Sequence, residues 1–278
     1  AVIAQDYTFD NLKILSQAVA DYLKNQSKGK KKVVVGYDCR FLSKEFAHTV
    51  CSVLAANGIY SVLSHKFVPT PVVSFHCRYH GYDLGVMITA SHNPASFNGF
   101  KIKTQEGGSA DKDVTDAVEN LLGKTKARCL DIVKAGERGL FLEKDLGQAY
   151  RDFLKKFVNL GKLRELPLRV LIDEMHGSGD CYGQEVLGPT SAVKIDYLHQ
   201  EFNPSSNGIS PEPVEKNLQE LLSKVKKEKY DCGVALDGDA DRIAMVDSKG
   251  NYINAQVLLP LLAIRSEEHT SELQSRIT

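Results

Sequence analysis

The sequence contains no tryptophan, carries no net charge and has no long hydrophobic run among its 278 residues. Basic and acidic residues each number 35, so the chain lacks the basic excess typical of proteins that bind nucleic acid through its phosphates. The longest apolar stretch, at 257–264, is far shorter than the ~20 residues that cross a bilayer. We therefore expect neither a nucleic-acid partner nor a membrane partner.

Cysteine is present, but its spacing indicates no disulfide framework. The six cysteines are spread from Cys39 to Cys232, and none forms a Cys-x-x-Cys pair, so we expect free thiols. The opening residues lack the basic and then apolar pattern of a signal peptide. Both observations predict a cytoplasmic protein. Residue 1 is not methionine, so the natural chain need not begin there.

Enough apolar material is present to form a sizeable core. Apolar residues make up 42% of the chain and charged residues 25%, a balance that excludes global disorder. At ~150 residues per domain, the length favours about two domains.

Apolar segments of strand length alternate with segments of helical spacing. The predicted strands lie at 33–38, 59–64, 83–89, 168–175, 192–198, 232–236 and 242–247, and the clearest helices at 8–26, 43–57, 72–79 and 214–229. This alternation predicts an α/β fold with tandem α/β domains and mainly parallel mixed sheets. The similarity of VVVGYDCR to VLIDEMHGSG indicates a duplicated domain.

We place the domain boundaries by the changes in this pattern. One domain covers 1–150, a second covers 151–251, and a third begins at 252–264. The polar segment 265–278 follows an apolar helix, and its first eleven residues match a common sequencing-adaptor oligonucleotide read in frame. We interpret 265–278 as an adaptor artefact, with a disordered polar tail as the alternative.

The motif TASHNP at 89–94, followed by NGFK at 98–101, comes directly after a predicted strand. The carboxyl end of a parallel strand is where α/β folds usually hold ligands. Ser91 could act there as a nucleophile, His92 could move a proton, and Lys101 could place positive charge near a phosphoryl group. The alternative is a serine that caps an ordinary turn.

The motif DGDADR at 237–242 lies between two predicted strands. Asp237, Asp239 and Asp241 can converge on one side of an extended loop, where their repulsion favours a cation such as Mg²⁺. An EF-hand is excluded, because Arg242 stands where that loop requires glycine. The alternative is an acidic hairpin turn in which Arg242 pairs with one aspartate instead of orienting a phosphate.

Three further segments allow a phosphate-binding or a structural interpretation. Arg40 ends the segment YDCR after a predicted strand, where a phosphate would sit, with a surface ion pair as the alternative. The turn HGSG at 176–179 could meet a phosphate but is favoured as architectural. KGKKK at 28–32 is interpreted as a solvated loop rather than a phosphate-binding patch.

The order and context of TASHNP, NGFK and DGDADR resemble one family. They resemble the α-D-phosphohexomutases, specifically the phosphoglucomutase/phosphomannomutase branch. The resemblance covers residues 1–264 and includes GVMITASHNP, GGSA and the opening AVIAQDYTFDNL. It implies an intramolecular phosphotransferase that interconverts hexose 1-phosphate and hexose 6-phosphate through a bisphosphorylated sugar.

The resemblance implies a phosphoserine and a metal ion in the site. Ser91 would give its phosphoryl group to the sugar and take another back. One Mg²⁺ per site would be bound by Asp237, Asp239 and Asp241 together with a phosphate oxygen on Ser91. Since the carboxylates would repel a phosphoserine, metal and phosphate are expected to bind together.

The remaining site roles also follow from the resemblance. Arg40, Lys101 and Arg242 would surround the phosphate, and His92 would assist general acid–base transfer. The expected partners are a hexose phosphate substrate and a sugar bisphosphate activator, and the expected assembly is a monomer or a weak homo-oligomer.

The resemblance assigns 1–150 to the phosphoserine domain, 151–251 to the metal-binding domain and 252–264 to the start of a third. The family has four domains and begins with a segment like FGTSGWR, which is not in this sequence. Its sugar-recognition and phosphate-gripping loops lie in the third and fourth domains, so we expect this fragment to be inactive or partly active.

Two alternatives from other functional classes stay open. One is a phosphate hydrolase with a serine nucleophile, which would need more metal ligands than the eight histidines, without a ligand motif, supply. The other is a truncated, non-enzymatic remnant. The sequence does not choose among glucose, mannose and other hexose phosphates.

Overall fold

A computed structural model of the chain describes residues 1–26 and 29–264. Residues 265–278, which we interpret as an adaptor artefact, lie outside the described residues. Lys28, the first residue of the basic segment 28–32, also lies outside them.

The described chain forms two five-stranded sheets with helices packed against them. The strands are β1 (Lys32–Tyr37), β2 (Tyr60–Ser64), β3 (Leu84–Ile88), β4 (Phe100–Lys103), β5 (Phe141–Lys144), β6 (Arg169–Asp173), β7 (Lys194–Leu198), β8 (Cys232–Leu236), β9 (Ile243–Asp247) and β10 (Tyr252–Ile253). The helices are α1 (Phe9–Gln26), α2 (Ser43–Ala56), α3 (Thr70–His80), α4 (Lys112–Glu119), α5 (Ile132–Glu137), α6 (Gly147–Phe157), α7 (Leu160–Glu165), α8 (Tyr182–Leu187) and α9 (Gln219–Lys227). Residues 255–264 are also helical. Within the two described ranges, no helix has both the length and the apolar content needed to cross a membrane.

The first sheet has the order β4-β3-β1-β2-β5, and the second has the order β10-β9-β8-β6-β7. In the first sheet, only the β3–β4 pair is antiparallel. In the second, β6 runs parallel to β7 and β8, while β9 is antiparallel to β8 and β10. The predicted α/β fold with mainly parallel mixed sheets is confirmed.

The two sheets share one strand order over four strands. The series β2-β1-β3-β4 corresponds to β7-β6-β8-β9, and in each series the last strand is antiparallel to its neighbour. This correspondence agrees with the predicted duplication. It also gives the two chemical motifs equivalent positions, since 89–99 joins β3 to β4 and 237–242 joins β8 to β9.

Helices cover both faces of the first sheet. Val33 and Val35 of β1 are buried in a cluster with α1 and α2, whereas Val34 points to the other face and packs with Val72 and Val73 of α3. A strand that is buried on both faces has no need of alternating polar residues. This explains why β1 is a continuous apolar run in the sequence.

The helix predicted over 214–229 is shorter in the structure. A 3-10 turn forms at Glu215–Asn217, and α9 begins at Gln219. Leu218 between them has φ −106° and ψ 19°. The Asn217 side chain donates to the carbonyls of two upstream loop residues, and this bonding competes with a continuous helix.

A buried histidine links α3 to the start of α6. His76 Nε2 lies 2.9 Å from the Leu146 carbonyl oxygen, and His76 Nδ1 lies 2.9 Å from Nδ1 of His80. Because a carbonyl only accepts, Nε2 carries the proton and Nδ1 is the acceptor. Burial lowers the pKa of His76 to about 4.

A fall in pH is therefore expected to reduce the contribution of His76 to stability. The pKa of His76 is 6.5 before folding and falls on folding, so its contribution to stability is complete above pH 6.5 and is lost as the pH falls toward 4. We expect the loss to be about 2 kcal/mol, after allowance for screening at the exposed His80. Urea unfolding over this pH range should show a shallower decline for His76→Gln than for the natural chain. Equal pH dependence of the two proteins would contradict the assignment.

Candidate active site

Ser91 lies in the turn after β3 and has a left-handed backbone, with φ 54°. Its backbone N–H donates to Thr89 Oγ1 at 2.8 Å. Its hydroxyl Oγ donates to Asp237 Oδ2 at 2.6 Å, and both residues are buried. A non-glycine residue rarely adopts this conformation, which clusters at functional sites. The hydroxyl is thus directed at the acidic loop rather than capping its own turn.

The hairpin between β8 and β9 brings its three carboxylates together, as the spacing predicted. One oxygen each from Asp237, Asp239 and Asp241 lies within 4.8 Å of the others. Asp237 and Asp239 have no exposed surface. Asp237 Oδ1 accepts the backbone N–H groups of Asp241 at 3.0 Å and Arg242 at 3.1 Å, which closes the turn.

Gly238 allows the serine loop and the acidic loop to touch. A Cβ at this position would lie 2.5 Å from the Ser91 carbonyl oxygen and 3.1 Å from Pro211. Behind the acidic loop, the Ser178 backbone N–H donates to the Gly238 carbonyl at 3.1 Å. The turn at 176–179 thus supports the acidic loop through backbone contacts, in agreement with its architectural interpretation.

Lys101 on β4 bridges two of the carboxylates. Its Nζ lies 2.6 Å from Asp239 Oδ2 and 2.8 Å from Asp241 Oδ2. Burial alone would raise the pKa of Asp239. The Lys101 ammonium and hydroxyl hydrogen-bond donors outweigh this effect and hold the pKa of Asp239 below its usual value. Burial, and then the charge of Asp239, raise the pKa of Asp237. Three carboxylates face this partly buried ammonium and the half-exposed guanidinium of Arg242, and the excess negative charge favours a cation.

One oxygen of the cluster is buried without a partner. Asp239 Oδ1 meets no hydrogen-bond donor among the described residues, and such an oxygen costs free energy unless a donor or a cation meets it. Hard carboxylate oxygens suit Mg²⁺. Across residues 1–26 and 29–264, the three aspartates are the only group of three or more metal-ligating side chains with this geometry. The residues therefore fit the expected cation.

Arg40 is buried, with 7% of its surface exposed, so the alternative of a surface ion pair is wrong. Its Nε lies 3.3 Å from Asp38 Oδ2. Its four terminal N–H groups donate over 2.6–3.0 Å to four carbonyl oxygens of the serine loop, those of Ser91, Asn93, Pro94 and Phe97. These bonds use every terminal N–H. We therefore assign Arg40 a positioning role in place of the predicted phosphate contact.

Two substitutions of Arg40 should separate its role in shaping the serine loop from the role of its positive charge beside Asp38. Arg40→Lys keeps the charge beside Asp38 but cannot hold four carbonyls, and we expect kcat/KM to fall about 10- to 100-fold, because small displacements of reacting groups are costly. Arg40→Met also leaves a buried carboxylate unpaired, and we expect it to lower the unfolding free energy by about 3 kcal/mol. Steady-state kinetics and urea unfolding measure the two effects. The exposed Arg128→Lys serves as the control, and unchanged kcat/KM in Arg40→Lys would refute the positioning role.

His92 and Arg242 flank the cluster in different ways. His92 follows Ser91 in the serine loop and is half-buried, and its Nδ1 is buried with no hydrogen-bond partner within the described part of the chain. Arg242 Nε lies 3.9 Å from both Asp237 Oδ2 and Asp241 Oδ1, and about half of its side chain is exposed. The exposed part of Arg242 offers positive charge at the edge of the cluster.

Sequence reasoning missed Thr70, the first residue of α3. Its Oγ1 donates to Asp239 Oδ2 at 2.5 Å, across 169 residues of sequence. Thr70 lies just before the helix predicted at 72–79, and no site residue was predicted there. Nothing in the local pattern distinguishes this threonine from an ordinary helix-start residue, because its partner comes from the second sheet.

Two models of one protein family match the chain. The model for phosphoglucomutase/phosphomannomutase, alpha/beta/alpha domain I, matches residues 1–128. The model for domain II of the same family matches residues 148–250.

Similar proteins include two curated relatives and one solved structure. "Probable phosphoglucosamine mutase" of Methanosphaera stadtmanae is 34% identical over 250 residues, covering 90% of this chain and 53% of the relative. Phosphoglucosamine mutase of Caldicellulosiruptor saccharolyticus is 28% identical over 242 residues, covering 87% and 53% respectively. A crystal structure titled "putative phosphomannomutase" from Thermus thermophilus matches with a TM-score of 0.87 and 34% identity, covering 96% of this chain and 60% of that one. The chain thus spans about half the length of the curated relatives.

Proposed function

The chain belongs to the α-D-phosphohexomutase family, and from this membership and the site geometry we propose that the complete protein interconverts hexose 1-phosphate and hexose 6-phosphate. The observation that carries the proposal is the 2.6 Å contact between Ser91 Oγ and Asp237 Oδ2, within a cluster of three aspartates and one lysine. This arrangement joins a nucleophile, a proton acceptor and cation ligands at one point.

The proposed reaction has two phosphoryl transfers. In the first, a sugar hydroxyl oxygen attacks the phosphorus of phospho-Ser91, the phosphorus–Oγ bond breaks, and Ser91 Oγ takes up a proton as the sugar hydroxyl loses one. The product is a bisphosphorylated sugar. In the second, Ser91 Oγ takes the other phosphoryl group from that sugar, and the sugar oxygen left behind regains a proton. Atoms and charges balance over the cycle, and Ser91 ends phosphorylated.

The residues around Ser91 have separate roles in these transfers. Asp237 Oδ2 accepts the Ser91 O–H, and it is the nearest acceptor for the proton that Oγ loses when it attacks. His92, the neighbour of Ser91 in the serine loop, is proposed to exchange a proton with the sugar oxygen. Lys101 supplies positive charge beside the transferring group, and Arg40 keeps the serine loop in shape.

A divalent cation fits the acidic loop. Asp237, Asp239 and Asp241 would hold Mg²⁺, together with an oxygen of the phosphoryl group on Ser91. When bound, Mg²⁺ supplies positive charge that stabilises the equatorial oxygens in the transition state. Lys101 and Arg242 offset the remaining negative charge at the edge of the site.

The substrate class is proposed to be a hexose phosphate, with glucosamine phosphate as the first to test. Two curated relatives carry the name phosphoglucosamine mutase, whereas the matched crystal structure is named as a phosphomannomutase. Glucose and mannose phosphates therefore belong in the same panel. We also propose residues 1–150 as the phosphoserine domain and 151–251 as the metal-binding domain.

The test uses the complete protein that contains this chain. Glucosamine, glucose and mannose 1-phosphates are each incubated with the protein, Mg²⁺ and a trace of the matching bisphosphate, and ³¹P NMR follows the products. We expect the 6-phosphate to form from at least one sugar without inorganic phosphate, and chelation of Mg²⁺ to stop the reaction. Release of inorganic phosphate faster than isomerisation would instead favour a serine-nucleophile hydrolase.

A further inference from the structure

Thr70 joins the helix layer of the first sheet to the acidic loop of the second. Its backbone N–H donates to the Asp239 carbonyl at 2.9 Å, and its Oγ1 donates to Asp239 Oδ2 at 2.5 Å. Thr70 has 1% of its surface exposed and Asp239 has none. One residue thus fixes both the backbone and the side chain of the same aspartate.

The helix that carries Thr70 is itself fixed relative to Ser91. On α3, Val73 packs so closely on β3 that a Cβ at Gly85 would lie 2.6 Å from Val73 Cγ1. Strand β3 leads directly into the turn that holds Ser91. Thr70, Asp239 and Ser91 are therefore connected through one closely packed unit, in which small displacements of the helix are resisted.

The two oxygens of Asp239 have different surroundings. Oδ2 accepts both Thr70 Oγ1 and Lys101 Nζ, whereas Oδ1 is buried without a partner in the described ranges. Because the two oxygens are equivalent, the hydrogen bonds to one of them fix the orientation of the carboxylate group. A partial rotation would break two short hydrogen bonds, so one oxygen position is held open.

We infer that Thr70 is a positioning residue for the metal site, which orients Asp239 so that Oδ1 faces the cation. The inference rests on the proposed function, because it concerns the same aspartate cluster. Lys101 attracts Asp239 Oδ2 through its charge, but its flexible side chain does not fix the orientation of the carboxylate. The hydrogen bond from the Thr70 hydroxyl fixes that orientation. Partners of metal ligands typically change metal affinity or activity by about 10- to 100-fold when removed.

Two pairs of variants isolate the Thr70 hydroxyl. Valine has nearly the shape of threonine with a methyl group in place of the hydroxyl, and alanine is serine without its hydroxyl, so each pair differs at the hydroxyl. All four side chains keep the backbone N–H bond to Asp239. The complete protein, with Thr70 or as Thr70→Val, Thr70→Ser or Thr70→Ala, is titrated with Mn²⁺ in the absence of sugar, and free Mn²⁺ is read by electron paramagnetic resonance.

We expect the Mn²⁺ affinity to depend on whether residue 70 carries a hydroxyl group. Proteins with Thr or Ser at 70 should bind Mn²⁺ tightly, and those with Val or Ala should bind it about 10- to 100-fold more weakly, with a parallel loss in kcat. Circular dichroism melts select the variants that fold, and the Ser/Ala pair decides the matter where Thr70→Val does not fold.

Three outcomes would overturn the inference. Equal Mn²⁺ affinity in all four proteins would show that residue 70 does not orient the metal ligand. If Thr and Val at residue 70 gave the same Mn²⁺ affinity, higher than that with Ser or Ala, the methyl group would matter and Thr70 would act through packing alone. Absence of Mn²⁺ binding by the natural protein would refute the metal site of the proposed function itself, and this result is distinct from the other two because it does not depend on residue 70.

Discussion

Ser91→Ala in the complete protein is expected to lower kcat by about 10⁴-fold or more, because loss of a covalent nucleophile removes the route through the phosphoenzyme. The change deletes Oγ, which lies 2.6 Å from Asp237 Oδ2. It removes one buried hydrogen bond to a carboxylate, about 1–3 kcal/mol of stability. The loss of activity should therefore appear in a protein that still folds. Coupled kinetic assays and thermal melts on the same preparation measure both quantities.

The control for this prediction lies in the same loop. Ser96 is exposed, and Ser96→Ala removes a hydroxyl five residues away from Ser91 along the chain. We expect Ser96→Ala to retain the activity of the natural protein. Activity of Ser91→Ala within tenfold of the natural protein would contradict the covalent role of Ser91.

Asp237→Asn is expected to lower kcat by about 10³-fold, since it removes a charge that acts directly on the reacting groups. The substitution keeps the shape of the side chain and the Oδ1 acceptor for the two backbone N–H groups that close the turn. It removes the carboxylate that accepts the Ser91 hydroxyl and a ligand of the expected cation. Kinetics over a range of Mg²⁺ concentrations measure this loss.

The same substitution should stabilise the protein in the absence of divalent cations. Asp237 is fully buried beside Asp239 and Asp241, and Asp237→Asn relieves repulsion among these carboxylates. Lower activity together with a higher melting temperature is typical of residues kept for function rather than stability. Asp113→Asn, which removes an exposed charge, is the control and should change neither quantity. A Mg²⁺-free melting temperature of Asp237→Asn below that of the natural protein would count against the repulsion argument.

The sequence predicted most of the fold because the strands are apolar runs that helices bury on both faces. The predicted strand 232–236 coincides with β8, and the predicted helix 8–26 begins one residue early, since Thr8 receives the Asn11 N–H as a cap. The convergence of the serine and acidic loops was implied by the family resemblance, because the two loops belong to different sheets and neither motif indicates its partner by itself.

Long-range contacts were the part that local patterns could not predict. Arg40 was placed beside a phosphate on its position after β1, but the structure gives its guanidinium four carbonyls of a loop more than fifty residues away. Thr70 had no local signal, since its partner Asp239 belongs to the other sheet. The helix over 214–229 was predicted too long, because its apolar spacing does not record the side-chain bonds of Asn217.

Rapid-quench labelling can show whether Ser91 carries the phosphoryl group during turnover. The dephosphorylated complete protein is mixed with ³²P-labelled hexose bisphosphate and Mg²⁺, quenched at intervals and digested, and the labelled peptide is sequenced by mass spectrometry. We expect label on Ser91 that forms, and is discharged by added hexose 6-phosphate, at least as fast as the steady-state turnover. Label on another residue, or label on Ser91 that exchanges more slowly than turnover, would contradict this expectation.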